Sequence, residues 1–203
     1  MRRTSIQIVL LPEVYHMRLH MSTKTLQFQS GSAMITPDMH HRKELLMRPV
    51  KKVEDSRTQQ QYLICPAHIN HYGRLFGGQL LKWIDELAGI VAIRHCGATV
   101  TTAAIDNLQF QAPAYSGDMI VLEGWVTYVG RSSMEVRVDT YREALDGARE
   151  MINRAYIDMV AISSTGEPIE VPGLSAETEE ERQEQEAAKK RREMRRQRRQ
   201  EGF

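Results

Sequence analysis

The 203 residues predict an α+β fold, an antiparallel sheet wrapped around one long central helix. Three observations carry this. Leu80, Ile84, Leu87 and Val91 recur at near-helical spacing. The four segments that follow, between residues 100 and 162, are rich in β-branched residues or alternate apolar with polar. The connections between them are short and hold Gly, Pro, Ser and Asp, so consecutive strands can pair antiparallel and leave one face for the helix.

The elements follow in order. Residues 1–50 lack sustained periodicity, and 1–55 reads as disordered or as a gene-model extension. The opening "MRRTSIQIVLLPEVYHMRLH" weakly imitates a secretory leader. Pro12, Glu13 and His16 interrupt its apolar run, and no clean small-residue cleavage site follows. Met17, Met21, Met34, Met39 and Met47 are alternative starts. "RTQQQYLI" (57–64) suits a first strand, and "CPAHINHYG" is a loop punctuated by Pro66, Asn70 and Gly73. A helix is expected over about 77–95, with Lys82 and Glu86 paired on its solvent side and Gly97 as its C-terminal cap. Strands are expected at 100–110, 119–129, 134–141 and 151–162. The domain is bounded at 56–170, and 171–203 is a charged tail. In the tail acidic residues come first and basic ones second, which suits a helix dipole. Glu186 and Lys190 stand at a helix-stabilising interval. It reads as a solvated charged helix, a disordered tail, or a basic arm for an acidic partner.

Composition narrows the function classes. The net charge of +1 resolves into +5 for residues 1–57, −5 for 58–174 and +1 for 175–203, so no general nucleic-acid or membrane affinity is declared. The basic run in the tail has no interleaved aromatics for stacking on bases, and no specific nucleic-acid partner is expected. Two cysteines give no disulfide framework, and a reduced cytoplasmic setting is expected. No apolar run approaches the roughly 18 residues of a membrane span. Cys65, His68, His71 and Cys96 lack the paired order of a zinc ribbon, so no metal site is expected. There is no Gly-x-Ser-x-Gly elbow, P-loop or dinucleotide fingerprint.

One stretch stands out, "NHYGRLFGGQLLKWIDELAG" (70–89). Asp85 sits on an apolar helix beside the small residues Ala88, Gly89 and Ala92. A carboxylate there costs desolvation unless it is paired or used, so it is either bonded across an interface or chemically active. Gly77 and Gly78 either make the turn into the helix or let a polarised carbonyl approach its unpaired N–H groups. Asn70 is a turn residue that can also donate and accept. Gly130, Arg131, Ser132 and Ser133 form a hairpin turn.

The motifs "NHYGRLFGGQLLKWIDELAGIVAIRHC", "TTAAIDNLQFQAPAYSGD" and "YVGRSSMEV", in that order, resemble the hotdog-fold acyl-CoA thioesterases. The closest pattern is that of the brain-type cytosolic acyl-CoA hydrolases and their bacterial single-domain relatives. The likeness covers about residues 56–170 and neither tail. It implies hydrolysis of acyl-CoA to a free acid and CoA, within fatty acid metabolism, with CoA as part of the substrate and no separate cofactor. A CoA-ester-binding regulator is the alternative. It implies Asn70 of one subunit and Asp85 of its partner as the catalytic pair, with Asp85 as general base or nucleophile. The Gly78 N–H becomes an oxyanion donor beside Gly77. Gly130, Arg131, Ser132 and Ser133 line the CoA groove. Some relatives carry His where this chain has Phe76. With one hotdog domain, the chain is expected to dimerise and to assemble as a trimer of dimers.

Overall fold

A 20-residue helix, α1 (Gly77–Cys96), organises the molecule. The structure is a computed structural model and describes residues 48–202. The expectations for residues 1–47 lie outside the described residues. Leu80, Trp83, Ile84, Leu87, Ala88, Val91, Ala92 and His95 of α1 are buried, one stripe at helical spacing. Gly97 ends the helix at φ 67°, its N–H returning to the Ile93 carbonyl, the left-handed cap expected there. Lys82 and Glu86 pair on the exposed side.

Five strands cover α1. They are β2 (Thr58–Leu63), β3 (Thr99–Phe110), β4 (Met119–Val129), β5 (Ser133–Glu143) and β6 (Arg149–Ile162). Their order is β2-β4-β5-β6-β3, and every pairing is antiparallel. The helix touches all five, so the sheet wraps it. Ile120, Leu122, Val126, Val136, Val138 and Ile157 close on the buried stripe. Gly124 sets how closely β4 approaches: a Cβ there would stand 3.1 Å from Val91 Cγ2 and 3.3 Å from Leu87 Cδ2, both fully buried side chains. β3 and β2 are the margins of the sheet. A short parallel pair, β1 (Val50–Lys52) with β7 (Gly173–Ser175), flanks it.

The charged tail is a helix, as one of its expected readings has it, but it is docked on the sheet rather than solvated. Residues Glu179–Glu201 form a second helix, α2, started by a reciprocal Thr178–Glu181 capping box. Its stripe Glu184, Ala188, Arg191, Arg195 and Arg198 packs on the sheet. Ala188 is fully buried. Arg191 and Arg195 both bond the carboxylate of Glu135, which has no exposed surface. Arg198 bonds Asp106, and Glu184 bonds Arg137. Glu186 pairs with Lys189 rather than Lys190. Among the described residues, no helix is long and apolar enough to cross a membrane.

Candidate active site

Asp85 projects from the middle of α1 and is half-buried rather than sealed. Thr102 on β3 donates its hydroxyl to Asp85 Oδ1 at 2.6 Å. Oδ2 has no partner among the described residues. One oxygen is thus anchored and the other is free to accept a proton or attack. Beside it, a Cβ added at Gly89 would meet nothing within 4 Å, so space lies open along this face of the helix.

Asn70 heads a tight turn before α1. Its Oδ1 accepts the N–H groups of Tyr72 (2.9 Å) and Arg74 (3.3 Å), and Gly73 supplies the left-handed residue at φ 75°. This fixes which amide atom is oxygen and leaves Nδ2 as a pair of donors. Asn70 and Gly77 line one cleft of about 410 Å³ with Leu75, Leu80, Phe110, Ala112 and Ile152. Turn residue and cleft residue are therefore the same side chain.

The start of α1 is electrically bare. Phe76 offers no side-chain cap, no acidic residue stands in the first turn, and the N–H groups of Gly77 and Gly78 have no partner among the described residues. A Cβ on Gly78 would come within 2.5 Å of the Phe76 ring, and one on Gly77 within 3.1 Å of the Phe110 ring. Both rings are more than half exposed.

Within one chain these groups do not converge. Asp85 does not line the cleft that holds Asn70 and Gly77, and neither does Gly78. The Gly130–Ser133 turn lies elsewhere, where the Gly130 N–H closes on the Ser133 carbonyl at 2.7 Å. Arg131 is exposed, and Ser133 lines a groove beside α2. Cys65 Sγ and His68 Nδ1 approach to 3.4 Å, with His68 edge-on to Trp83. Thr102 is the residue that sequence reasoning missed. It stands in a threonine-rich strand where β-propensity alone accounts for it.

Residues 72–147 match the family model of the Thioesterase superfamily. The uncharacterised acyl-CoA thioester hydrolase YkhA of Bacillus subtilis is 39% identical over 128 residues, 63% of this chain and 74% of that protein. The chain belongs to the thioesterase superfamily. This thioesterase spans only 34% of the rat cytosolic acyl coenzyme A thioester hydrolase, at 31% identity and over 63% of its own length. Among solved structures it is similar to an apo-hexameric acyl-CoA thioesterase (41% identity, TM-score 0.71, covering 74% of this chain and 97% of that one). It is also similar to the acyl-CoA hydrolase of Staphylococcus aureus in complex with butyryl coenzyme A and coenzyme A (34% identity, TM-score 0.72, covering 75% and 94%). The hotdog arrangement of sheet and helix is common to these structures and the thioesterase described above. The Staphylococcus aureus enzyme has also been solved as Asn-to-Ala, Asp-to-Ala and Thr-to-Ala variants, whose positions follow one another at 15 and 17 residues. Asn70, Asp85 and Thr102 follow one another at the same intervals.

Proposed function

We propose that this thioesterase hydrolyses acyl-CoA to a free acid and CoA, at sites that each take Asn70 from one subunit and Asp85 from its partner. The observation that carries the reading is the Asp85 carboxylate, anchored by Thr102 on one oxygen and free on the other. The matching Asn, Asp and Thr intervals in the Staphylococcus aureus hydrolase support it.

A carboxylate can serve as base or nucleophile through the oxygen that carries no hydrogen bond. As general base, Asp85 takes a proton from water while the water oxygen bonds the thioester carbon. The tetrahedral intermediate then expels sulfur, and the proton passes to the CoA thiolate. As nucleophile, Asp85 would form an anhydride that water cleaves, with the same products. The carbonyl oxygen becomes an oxyanion in both routes. The Asn70 amide and the bare N–H groups at Gly77 and Gly78 are assigned as its donors. One such donor can be worth on the order of 10²–10³ in rate. Neither route calls for a metal or organic cofactor, and CoA enters as part of the substrate. The Gly130–Ser133 turn is assigned to CoA binding.

The shared site requires an even-numbered assembly. The free margin of β3, 12 residues long and carrying Thr102, is the natural seam for a second copy. The hexameric relative supports a trimer of dimers.

The test is turnover with complementation. Asp85→Ala should lower kcat for a panel of acyl-CoA esters by at least about 10³-fold while the melting temperature holds. Asn70→Ala subunits mixed and refolded with Asp85→Ala subunits should regain up to a quarter of the wild-type sites. Full turnover by Asp85→Ala would remove the catalytic assignment, and mixed dimers without recovery would remove the shared site.

A further inference from the structure

We infer that the tail helix α2 is a wall of the substrate site and that its outward arginines hold the phosphates of the CoA nucleotide. The inference rests on the proposed acyl-CoA activity and names the part of the site that reads the nucleotide end.

Two faces of α2 do different work. Arg191, Arg195 and Arg198 are spent on Glu135, Asp158 and Asp106 and hold the helix down. Arg192 and Arg199 make no salt bridge among the described residues, although both lie near enough to Asp158 to favour its charged form. Both line a groove of about 340 Å³ between α2 and the sheet, together with Arg196 and Ser133. Arg192 reaches toward the Gly130–Ser133 turn. Its Nη1 is 3.4 Å from the Tyr128 hydroxyl, and its Nη2 is 3.6 Å from where a Cβ on Gly130 would stand. The acidic members of the groove are already matched: Asp158 with Arg195, and Glu193 with Arg196. With Arg192, Arg195, Arg196 and Arg199 against Asp158 and Glu193, the lining is net positive and its charge is carried by guanidinium, the group best suited to phosphate oxygens.

Position agrees with charge. Asp158 of β6 lines the groove, and the next residue, Met159, is buried in the core 3.6 Å from the hydroxyl of Thr102, which holds Asp85. Successive strand residues face opposite sides of a sheet. The groove therefore opens on the far side of the sheet from the carboxylate. CoA esters have this layout, a reactive thioester at one end of a long pantetheine arm and phosphates at the other. A single-stranded nucleic acid fits less well, because no aromatic residue lines the groove for bases to stack on.

The test compares wild type with Arg192→Gln/Arg199→Gln in the full chain, using butyryl-CoA and butyryl-pantetheine, which lacks the phosphates. Both side chains are exposed, and neither pairs with a carboxylate, so the fold should hold. The ratio of kcat/KM for butyryl-CoA to that for butyryl-pantetheine should fall about tenfold, through KM. Arg199→Lys alone should retain most of the ratio. An unchanged ratio with butyryl-CoA still hydrolysed overturns the inference and leaves the activity standing. Hydrolysis of neither ester by wild type removes the activity, and titration with adenosine 3′,5′-bisphosphate then decides the groove separately. Binding weakened about tenfold in the double variant supports it, and equal binding overturns it. A loss of affinity for a single-stranded RNA but not for the bisphosphate also overturns it.

Discussion

His95 closes the end of α1 with no exposed surface. Its Nε2 meets the Pro172 carbonyl at 3.1 Å, and its Nδ1 has no partner among the described residues. Burial pushes its pKa below the usual imidazole value, the bond to Pro172 opposes this, and Lys51 and Arg48 reinforce it. A group depressed in the folded state binds its proton more readily when unfolded. Its stabilisation is therefore complete above the unfolded value of about 6.5 and is lost as pH falls through the folded value. The melting temperature should drop between pH 7 and 5, and His95→Gln should start lower but lose most of that slope. A variant with the wild-type slope would acquit His95. Asp139 belongs to a lower window. Burial raises its carboxyl, but hydrogen bonds and charge from Arg137 and Arg154 outweigh this and hold it below the usual range. Its contribution is present above about 3.9 and fails only as pH falls below that. Single residues were unevenly legible. Asp85 stood out because a charge interrupts an apolar stripe. Thr102 did not, because a hydroxyl aimed at a carboxylate looks like any strand threonine until the register brings them together.

At the scale of elements, α1 and the long strands were legible to within two or three residues, because burial imposes periods of 3.6 and 2 on their apolar residues. The docking of α2 was not. Its sheet-facing stripe steps by four and three residues, as an apolar seam does, but it is written in Glu, Ala and Arg. The partner charges Glu135, Arg137 and Asp106 lie on strands far away in sequence. Such a seam depends on its buried carboxylate. Removing Glu135 takes from Arg191 and Arg195 the buried carboxylate they share and leaves them Glu184 and Asp158, and breaking a buried ion pair costs up to about 3–5 kcal/mol. Glu135→Ala should therefore release the Lys- and Arg-rich helix to trypsin at least about tenfold faster than wild type. Unchanged digestion would mean that Ala188 and the other ion pairs suffice. Gly124 shows the opposite case, a position that records packing alone.

The whole molecule is marked by what one chain leaves apart. Its cleft holds Asn70 and Gly77, while Asp85 stands outside it and, among the described residues, β3 ends the sheet with one edge unpaired. Sequence could pair Asn70 with Asp85 only through resemblance, since spacing along a chain carries no sign of a second subunit. At 23.3 kDa per chain, sedimentation should give an even multiple of that mass. Activity per chain should fall on dilution in step with dissociation to monomers. Full activity in a monomeric fraction would refute the shared site. The separation of the two groups also has a consequence for gene dosage. A site fails if either contributor is defective, and each chain contributes once to two different sites. A chain lacking only Asp85 therefore silences one site and still lends Asn70 to the other. Mixed equally with normal chains, it would leave half of the sites working, so the defect is additive rather than dominant. A chain lacking both groups would leave only a quarter, so the same fold can turn a mild lesion into a poisoning one.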